Sequence, residues 1–243
     1  MFLLVAAIAA LAIVRPIAWL HLQTRRRARR VLLVAVALAV VMLLWPASET
    51  RVATIVSRLD SIVPVYQFSE FHDTTINAPA GRTYRAICAV TSDEIVLLHT
   101  LTWIRRFGRP GPPGVLNPPG RQPFCEVALR SGFYRLADDP GQEMVLGTFL
   151  AAPEAARSHP PEAITATTFA GVRAPGFGIV VMNFRLQPLA HNRTLLSTET
   201  RVFATDITTR RLFTPYWRLI YPGSAIIRAS WLRAIKRRAE ATN

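Results

Sequence analysis

Residues 178–206, GIVVMNFRLQPLAHNRTLLSTETRVFATD, predict a long β-hairpin, and this hairpin decides the fold class. Apolar and polar side chains alternate in both halves, and a period of two is typical of strands that are buried on one face. Residues 190–193 form the connection between the strands. One face of the first strand carries four apolar residues: Val180, Met182, Phe184 and Leu186. The hairpin therefore indicates an antiparallel sheet that packs one face against another element.

The segment 65–76, VYQFSEFHDTTI, predicts a further strand upstream of the hairpin. Its residues alternate in the same way, which places Tyr66, Glu70 and His72 on one face. Asn77–Pro79 then turns the chain.

Two short helices and a long loop are expected next. Residues 81–90 predict the first helix. Thr91 and Glu94 have the spacing of a capping box, which predicts a second helix over about 92–106. Residues 108–123 contain six prolines and four glycines, so they predict a long surface loop that covers an opening.

The remainder of the chain predicts two more strands and a helical C-terminus. Residues 138–141, DDPG, are a turn signal between two strands. Asp206 is expected to cap a helix that begins at Ile207. Pro215 and residues 221–224 are expected to interrupt that helix.

The final segment, 225–239, predicts a long helix with Ser224 as its N-cap rather than a nucleophile. Ile227, Trp231 and Ile235 lie on one side at a spacing of four. The other faces carry basic residues: Arg228, Arg233, Lys236, Arg237 and Arg238. We therefore expect an α+β fold in which a curved antiparallel sheet wraps a long C-terminal helix, with a core or a cavity between them.

Five stretches of the chain carry a family resemblance: YQFSEFHDTTINAPAGRTYRAICAVTSDEI (66–95), MNFRLQPL (182–189), LSTETRVFATD (196–206), YWRLIYPGSAIIR (216–228) and WLRAIKRRAE (231–240). Together they resemble a bacterial branch of the SRPBCC superfamily over about residues 64–240. The resemblance implies the START-like, helix-grip fold. It also implies an apolar ligand, since the superfamily mostly binds lipids, sterols or polyketides and includes cyclases and hydrolase-like members.

The first 46 residues predict a transmembrane helical hairpin. Residues 2–22 have roughly the 20 apolar residues that a span requires. Residues 31–46 predict a second, shorter span, and 23–30 form a basic loop between the two. Arg15, within the first span, lies close enough to this loop for its side chain to reach the headgroups.

The arginines of the basic loop also predict a location for the rest of the chain. Such residues are retained in the cytoplasm, so residues 47–243 are expected on the extracytoplasmic side of a bacterial inner membrane. Interpreting the loop and the second span as a signal anchor gives the same location. Residues 47–63 predict a juxtamembrane amphipathic helix that links the hairpin to a START-like domain over 64–243.

The charge of the chain favours a membrane over a nucleic acid as partner. The formal net charge is +14, and the basic residues are 28 arginines and one lysine. Residues 64–243 carry 21 basic and 13 acidic side chains. A basic domain beside a bilayer is attracted to anionic headgroups. The sequence has no basic stripe interleaved with aromatic residues, so nucleic-acid binding is not predicted.

Glu70 and His72 are the strongest catalytic candidates. A carboxylate and an imidazole on one strand face can exchange protons with a substrate if that face lines a cavity. On an outer face, the same pair would be solvated or bonded to its neighbours. No known catalytic motif is present, the five histidines are scattered, and neither a metal site nor a cofactor is predicted.

Six residues are candidates for ligand contact: Tyr66, Thr198, Thr200, Tyr216, Trp217 and Trp231. The two threonines would offer hydroxyls from the helix-facing side of the sheet. The aromatic side chains would line a cavity or belong to ordinary core. Glu199 and Arg201 are expected to support the sheet as a charge pair, with Asn183 and Arg185 across from them.

Cys88 and Cys125 have no metal-binding spacing. They either pair in an exported domain or are two small buried residues.

Three functions remain open on this sequence. The first is a membrane-anchored START-like module that binds an apolar or amphipathic ligand without catalysis. The second is a cyclase or hydrolase that uses Glu70 and His72. The third is a structural or partner-binding envelope protein with a filled core. The space between the C-terminal helix and the sheet distinguishes them.

Overall fold

The computed structural model describes residues 25–151 and 164–241 of the chain. They belong to two compact units, Met1–Pro46 and Ala47–Asn243. In the first unit, helix α1 spans Arg25–Leu44. The predicted loop over 23–30 is therefore wrong from Arg25 onward, because arginine is a good helix former and the helix extends into the basic stretch.

The predicted span 2–22 lies outside the described residues. Of the predicted span 31–46, residues up to Leu44 are helical. Within the part of the chain that the structure describes, no helix meets both the length and the hydropathy that crossing a membrane requires.

A five-stranded antiparallel sheet forms the centre of the second unit. Its strands are β3 (Phe68–Ile76), β4 (Tyr134–Asp139), β5 (Glu143–Ala151), β6 (Gly178–Leu189) and β7 (Arg193–Ala204). They lie in the order β3-β7-β6-β5-β4. The predicted hairpin is confirmed, since β6 and β7 pair antiparallel with Leu189 opposite Arg193. Two shorter strands, β1 (Thr50–Arg51) and β2 (Val65–Tyr66), form a separate ribbon.

Six α-helices accompany the sheet in the described part of this unit: α2 (Arg58–Ile62), α3 (Ala80–Ala89), α4 (Leu98–Arg105), α5 (Phe124–Arg130), α6 (Ala166–Ala170) and α7 (Ile207–Glu240). The predicted helix over 81–90 is confirmed by α3. The Thr91–Glu94 capping box is present, but it opens only a short 3-10 turn. Leu97 then takes a left-handed φ of 65°, which ends helical continuity, so the single predicted helix over 92–106 is wrong.

Helix α7 is continuous over 34 residues, with Pro215 and Pro222 inside it. The predicted interruption is therefore wrong. A proline inside a helix costs about 3 kcal/mol, and the burial of Trp217, Trp231 and Ile235 along α7 offsets that cost. Asp206 caps the helix as predicted, with its carboxylate accepting from the Thr208 and Thr209 N–H groups.

The sheet has two covered faces, which we call front and back. The front face packs against α3 and α7, and its core includes Met144, Leu146, Phe184, Leu196 and Ile235. The back face packs against α2 and α6, and its core includes Leu59, Val145, Phe169, Ile179 and Val181. A five-stranded antiparallel sheet with a long C-terminal helix on its front face fits the helix-grip fold.

Residues 47–63 belong to this folded unit rather than to a helical linker. Only Arg58–Ile62 is helical, and Thr50–Arg51 pairs with β2 instead. Leu59 and Val63 are buried against the back face. The predicted amphipathic helix is therefore wrong, because its apolar residues are buried as a short helix and a connecting strand.

A buried ion network holds α2 against the back face. The Arg201 guanidinium donates to the Glu199 carboxylate at 2.7 Å and 2.9 Å and lies 2.7 Å from the Asp60 carboxylate. It also donates to the Val63 carbonyl at 3.1 Å. Asn183 lies across from Glu199 as predicted, and its side-chain oxygen accepts from the Glu199 N–H.

The pKa of Asp60 is below its ordinary value. Burial acts to raise this pKa, but hydrogen bonds from the Val56 N–H, Ser57 and Arg201 outweigh the burial. A carboxylate with a lowered pKa stabilises the folded state above its unfolded pKa of about 3.9, and this stabilisation is lost as the pH falls through the folded pKa.

We therefore expect Asp60→Asn to lower the free energy of unfolding by about 3 kcal/mol at pH 7, because Arg201 loses a buried partner. The difference from wild type should shrink below about pH 4. Urea unfolding at several pH values measures both effects. Asp73→Asn, on the exposed side of β3, is the matched control and should change stability by less than about 0.5 kcal/mol. An Asp60→Asn protein as stable as this control would contradict the network.

Candidate functional site

A cavity of about 550 Å³ lies on the front side of the sheet. Its walls come from α4, α5, the middle of α7, the connection between α4 and α5, and Met182 of β6. Most lining side chains are apolar, among them Leu98, Leu101, Phe124, Phe133, Ile227 and Trp231. The proline-rich loop contributes Val115 and Leu116, which fits its predicted role of covering an opening.

The cavity opens through an apolar rim. Ile104, Phe107 and Leu219 line it and are also exposed to solvent. Phe107 is 85% exposed and Leu219 is 69% exposed. Large side chains that are exposed together at a cavity mouth mark a place where a ligand or an apolar surface makes contact.

Five polar side chains interrupt the apolar lining: Thr102, Arg105, Tyr216, Ser224 and Arg228. The Thr102 hydroxyl donates to the Leu98 carbonyl. Arg105 donates to the Tyr216 hydroxyl, and its guanidinium lies 5.4 Å from the centre of that ring. Two of the five are therefore cations, and no carboxylate is among the described residues that line the cavity.

Arg228 lies in the helix wall of the cavity. It donates to the Met182 sulfur at 3.2 Å, and its guanidinium lies 5.4 Å from the Trp231 ring centre. Burial lowers the pKa of Arg228, and the charge of Glu70 opposes this shift. Since an arginine pKa starts far above neutrality, the side chain stays a cation.

A short polar chain runs from the cavity wall to the sheet. The Ser224 hydroxyl donates to Glu70 Oε2 at 2.7 Å, and Glu70 Oε1 lies 2.9 Å from His72 Nε2. Glu70 is only 3% exposed. Ser224 lies inside α7, so its interpretation as an N-cap is wrong: the helix continues through it, and its hydroxyl contacts β3 instead.

Glu70 and His72 lie on the face of β3 that packs against α7, and neither lines the cavity. Ser224 stands between Glu70 and the cavity. The pair is therefore brought together by the strand, and one layer of protein separates it from any molecule in the cavity.

Two buried polar atoms near the cavity lack a hydrogen-bond partner among the described residues. They are the Trp231 indole nitrogen and the Thr200 hydroxyl. Trp231 is 3% exposed and lines the cavity. A buried donor without a partner costs about 1–3 kcal/mol, so such groups are explained by a missing partner or by strain.

The structure brings Tyr216 and Trp231 together at the cavity and places the other predicted ligand residues elsewhere. Trp217 packs against Phe68 with ring centres 5.8 Å apart. The Thr198 hydroxyl donates to the Asn183 carbonyl. Thr200 pairs with Glu70 across the strands and does not line the cavity.

Tyr66 lies on the back of the sheet, contrary to the predicted face. Gln67 separates β2 from β3 and uses its side-chain amide to bond the Ala204 backbone. This extra residue breaks the alternation, so Tyr66 joins the back core, where the Arg201 guanidinium lies 4.7 Å from its ring centre.

Sequence reasoning missed Arg228 as a site residue and assigned it to an outward face. The signal was present, because Ser224, Ile227, Arg228 and Trp231 have the spacing i, i+3, i+4 and i+7 of one helical face. The basic character of residues 228–238 concealed this stripe.

Cys88 and Cys125 are free thiols. Cys125 is buried, and burial raises the pKa of its thiol to about 12, so it is unreactive at neutral pH. The alternative that the two cysteines form a disulfide is therefore not what the structure has: Cys125 is buried, Cys88 is half-buried and the two are unpaired.

Comparisons with known proteins find remote structural likeness only. No family model matches the chain, and no curated protein matches it. Protein MLL2253 from Mesorhizobium loti is 14% identical, with 72% of this chain and 99% of that chain covered at a TM-score of 0.34. The hypothetical protein jhp0584 from Helicobacter pylori is 8% identical, with 79% and 99% covered at 0.35. The Zhui aromatase/cyclase from a Streptomyces species is 12% identical, with 72% and 96% covered at 0.25.

Proposed function

We propose that residues 47–243 form a non-enzymatic binding module for an apolar or amphipathic ligand of lipid-like chemistry. The observation that supports this most directly is the apolar cavity beside α7. Its volume of about 550 Å³ falls in the range of about 300–1,000 Å³ that small-molecule sites occupy. A filled-core envelope protein would not be expected to retain such a space.

The energy for binding comes from burial of the ligand's apolar surface. Each buried CH₂ group contributes about 0.8 kcal/mol, so ten such groups contribute about 8 kcal/mol before the cost of association. Because most of the lining residues belong to helices, ordering the protein around the ligand costs little of this energy.

The apolar rim formed by Ile104, Phe107 and Leu219 supports loading of the ligand from a bilayer. Loading from a bilayer requires that the module be held at the membrane. Residues 1–46 would hold the module on the extracytoplasmic side of the bacterial inner membrane, as their apolar runs and arginines predict.

An enzyme is the second candidate function, and the hydrogen bond between Glu70 and His72 is the observation that favours it. Among the described residues, the hydrogen bond from Ser224 to Glu70 is what links the pair to the cavity wall. A general base must reach the proton that it removes directly or through one water, so this position favours binding over catalysis.

A cavity-filling substitution tests the binding proposal. Ile227→Trp should reduce binding of hexadecan-1-ol to the full chain at least ten-fold, because the indole occupies the ligand's space. Ile226→Trp, at the next position and exposed, is the matched control and should bind as wild type does. Native mass spectrometry of the full chain titrated with hexadecan-1-ol measures both. Equal binding by the two variants would place the ligand elsewhere.

Reporter fusions test the location. Alkaline phosphatase fused after Asn243 should be active, because the enzyme matures only outside the cytoplasm, and a green fluorescent protein fused there should stay dark. An inactive phosphatase fusion together with a fluorescent green fluorescent protein fusion would contradict the extracytoplasmic location.

The enzyme alternative is tested with p-nitrophenyl palmitate as substrate. The binding proposal predicts hydrolysis at the buffer rate for wild type, Glu70→Gln, His72→Ala and the Asp73→Asn control. Hydrolysis by wild type that falls about 100-fold in Glu70→Gln and His72→Ala, but not in Asp73→Asn, would establish the enzyme instead.

A further inference from the structure

The charge of the cavity lining narrows the class of ligand. Arg105 and Arg228 line the cavity, and the described lining contains no carboxylate that could neutralise them. The ionisable groups whose charge acts on Arg228 are Glu70 and the buried thiol of Cys125. Glu70 binds His72 and lies behind Ser224. A wholly apolar ligand would leave the guanidinium of Arg228 facing hydrocarbon, which is costly for a cation.

Arg201 and Arg228 differ in the partners that their guanidinium groups have. Arg201 has two carboxylates, a backbone carbonyl and an aromatic face. The hydrogen bond of Arg228, by contrast, goes to a thioether sulfur, which is a weak acceptor. A guanidinium has five N–H donors in a planar fork that matches a carboxylate.

Trp231 is the aromatic neighbour of Arg228 at this wall. Its indole N–H is buried without a partner among the described residues, and its ring lines the cavity beside Arg228. Because this nitrogen is itself enclosed, the donor at this wall that a ligand can reach is the Arg228 guanidinium.

We propose that the cavity selects amphiphiles with a carboxylate head, which Arg228 binds at the inner wall while the alkyl tail extends toward the Phe107–Leu219 rim. This inference rests on the proposed function and names its ligand class. Arg105, already bound to Tyr216, adds positive charge at the wall. Glu70 carries the opposing charge nearest Arg228, so a singly charged head suits the site better than a phosphate.

The test compares three probes with the same C16 chain and different heads: palmitate, hexadecan-1-ol and hexadecyl phosphate. Each is titrated into the full chain and followed by native mass spectrometry. Wild type should bind palmitate at least ten-fold more tightly than hexadecan-1-ol, since a hydrogen bond to a charged group is worth about that factor or more.

Arg228→Gln should weaken palmitate binding at least ten-fold and leave hexadecan-1-ol binding within about two-fold of wild type. Arg233→Gln, exposed on the same helix, is the control and should leave both unchanged. Arg228→Lys keeps the charge without the fork, so it should retain part of the preference for palmitate.

Equal wild-type affinity for palmitate and hexadecan-1-ol would overturn the inference and leave the proposed function standing. Tighter binding of hexadecyl phosphate than of palmitate would overturn the carboxylate assignment. Binding of none of the three would overturn the proposed function itself. If Arg228→Gln loses both palmitate and hexadecan-1-ol, as a collapsed cavity would, the wild-type preference decides the question.

Discussion

The packing of α7 along one side of the sheet's front face is the constraint on which the rest of the structure depends. The helix lies chiefly against β3 and β7. It carries two prolines and remains continuous, because large side chains such as Trp217 and Trp231 are buried along it. The connection from α4 to α5 covers the front side of the sheet but does not fill the space beneath it. The cavity is the space that this off-centre helix leaves beside β6.

An arginine on each side of the sheet has a different set of partners. On the back face, Arg201 is satisfied by Asp60 and Glu199, so its role is to fix α2 on the sheet. On the front face, Arg228 has no carboxylate within ion-pair distance among the described residues and lines the apolar cavity. Folding alone explains the first arrangement, whereas under our proposal a ligand carboxylate would complete the second. A structural protein would gain stability from a hydrophobic residue at position 228.

Much of the fold could be predicted from local sequence patterns, and each feature that could not be predicted has a physical reason. The β6–β7 hairpin and the Asp206 cap follow from alternation and from side-chain chemistry that acts within a few residues. Tyr66 could not be placed, because one inserted residue, Gln67, reverses the face of everything before it. The continuity of α7 depends on tertiary packing that overrides proline. Arg228 lies on the apolar stripe of α7, but a sequence does not reveal whether a cation in such a stripe meets solvent, a carboxylate or a cavity.

The most direct test of the account is a crystal structure of the full chain with a long-chain carboxylate that carries bromine along its tail. Bromine gives an anomalous signal that locates the tail independently of any interpretation of the density. The account predicts bromine peaks inside the cavity between Trp231 and Phe107, with the carboxylate beside Arg228. Bromine peaks on the outer surface, with a cavity that holds no ligand, would contradict it.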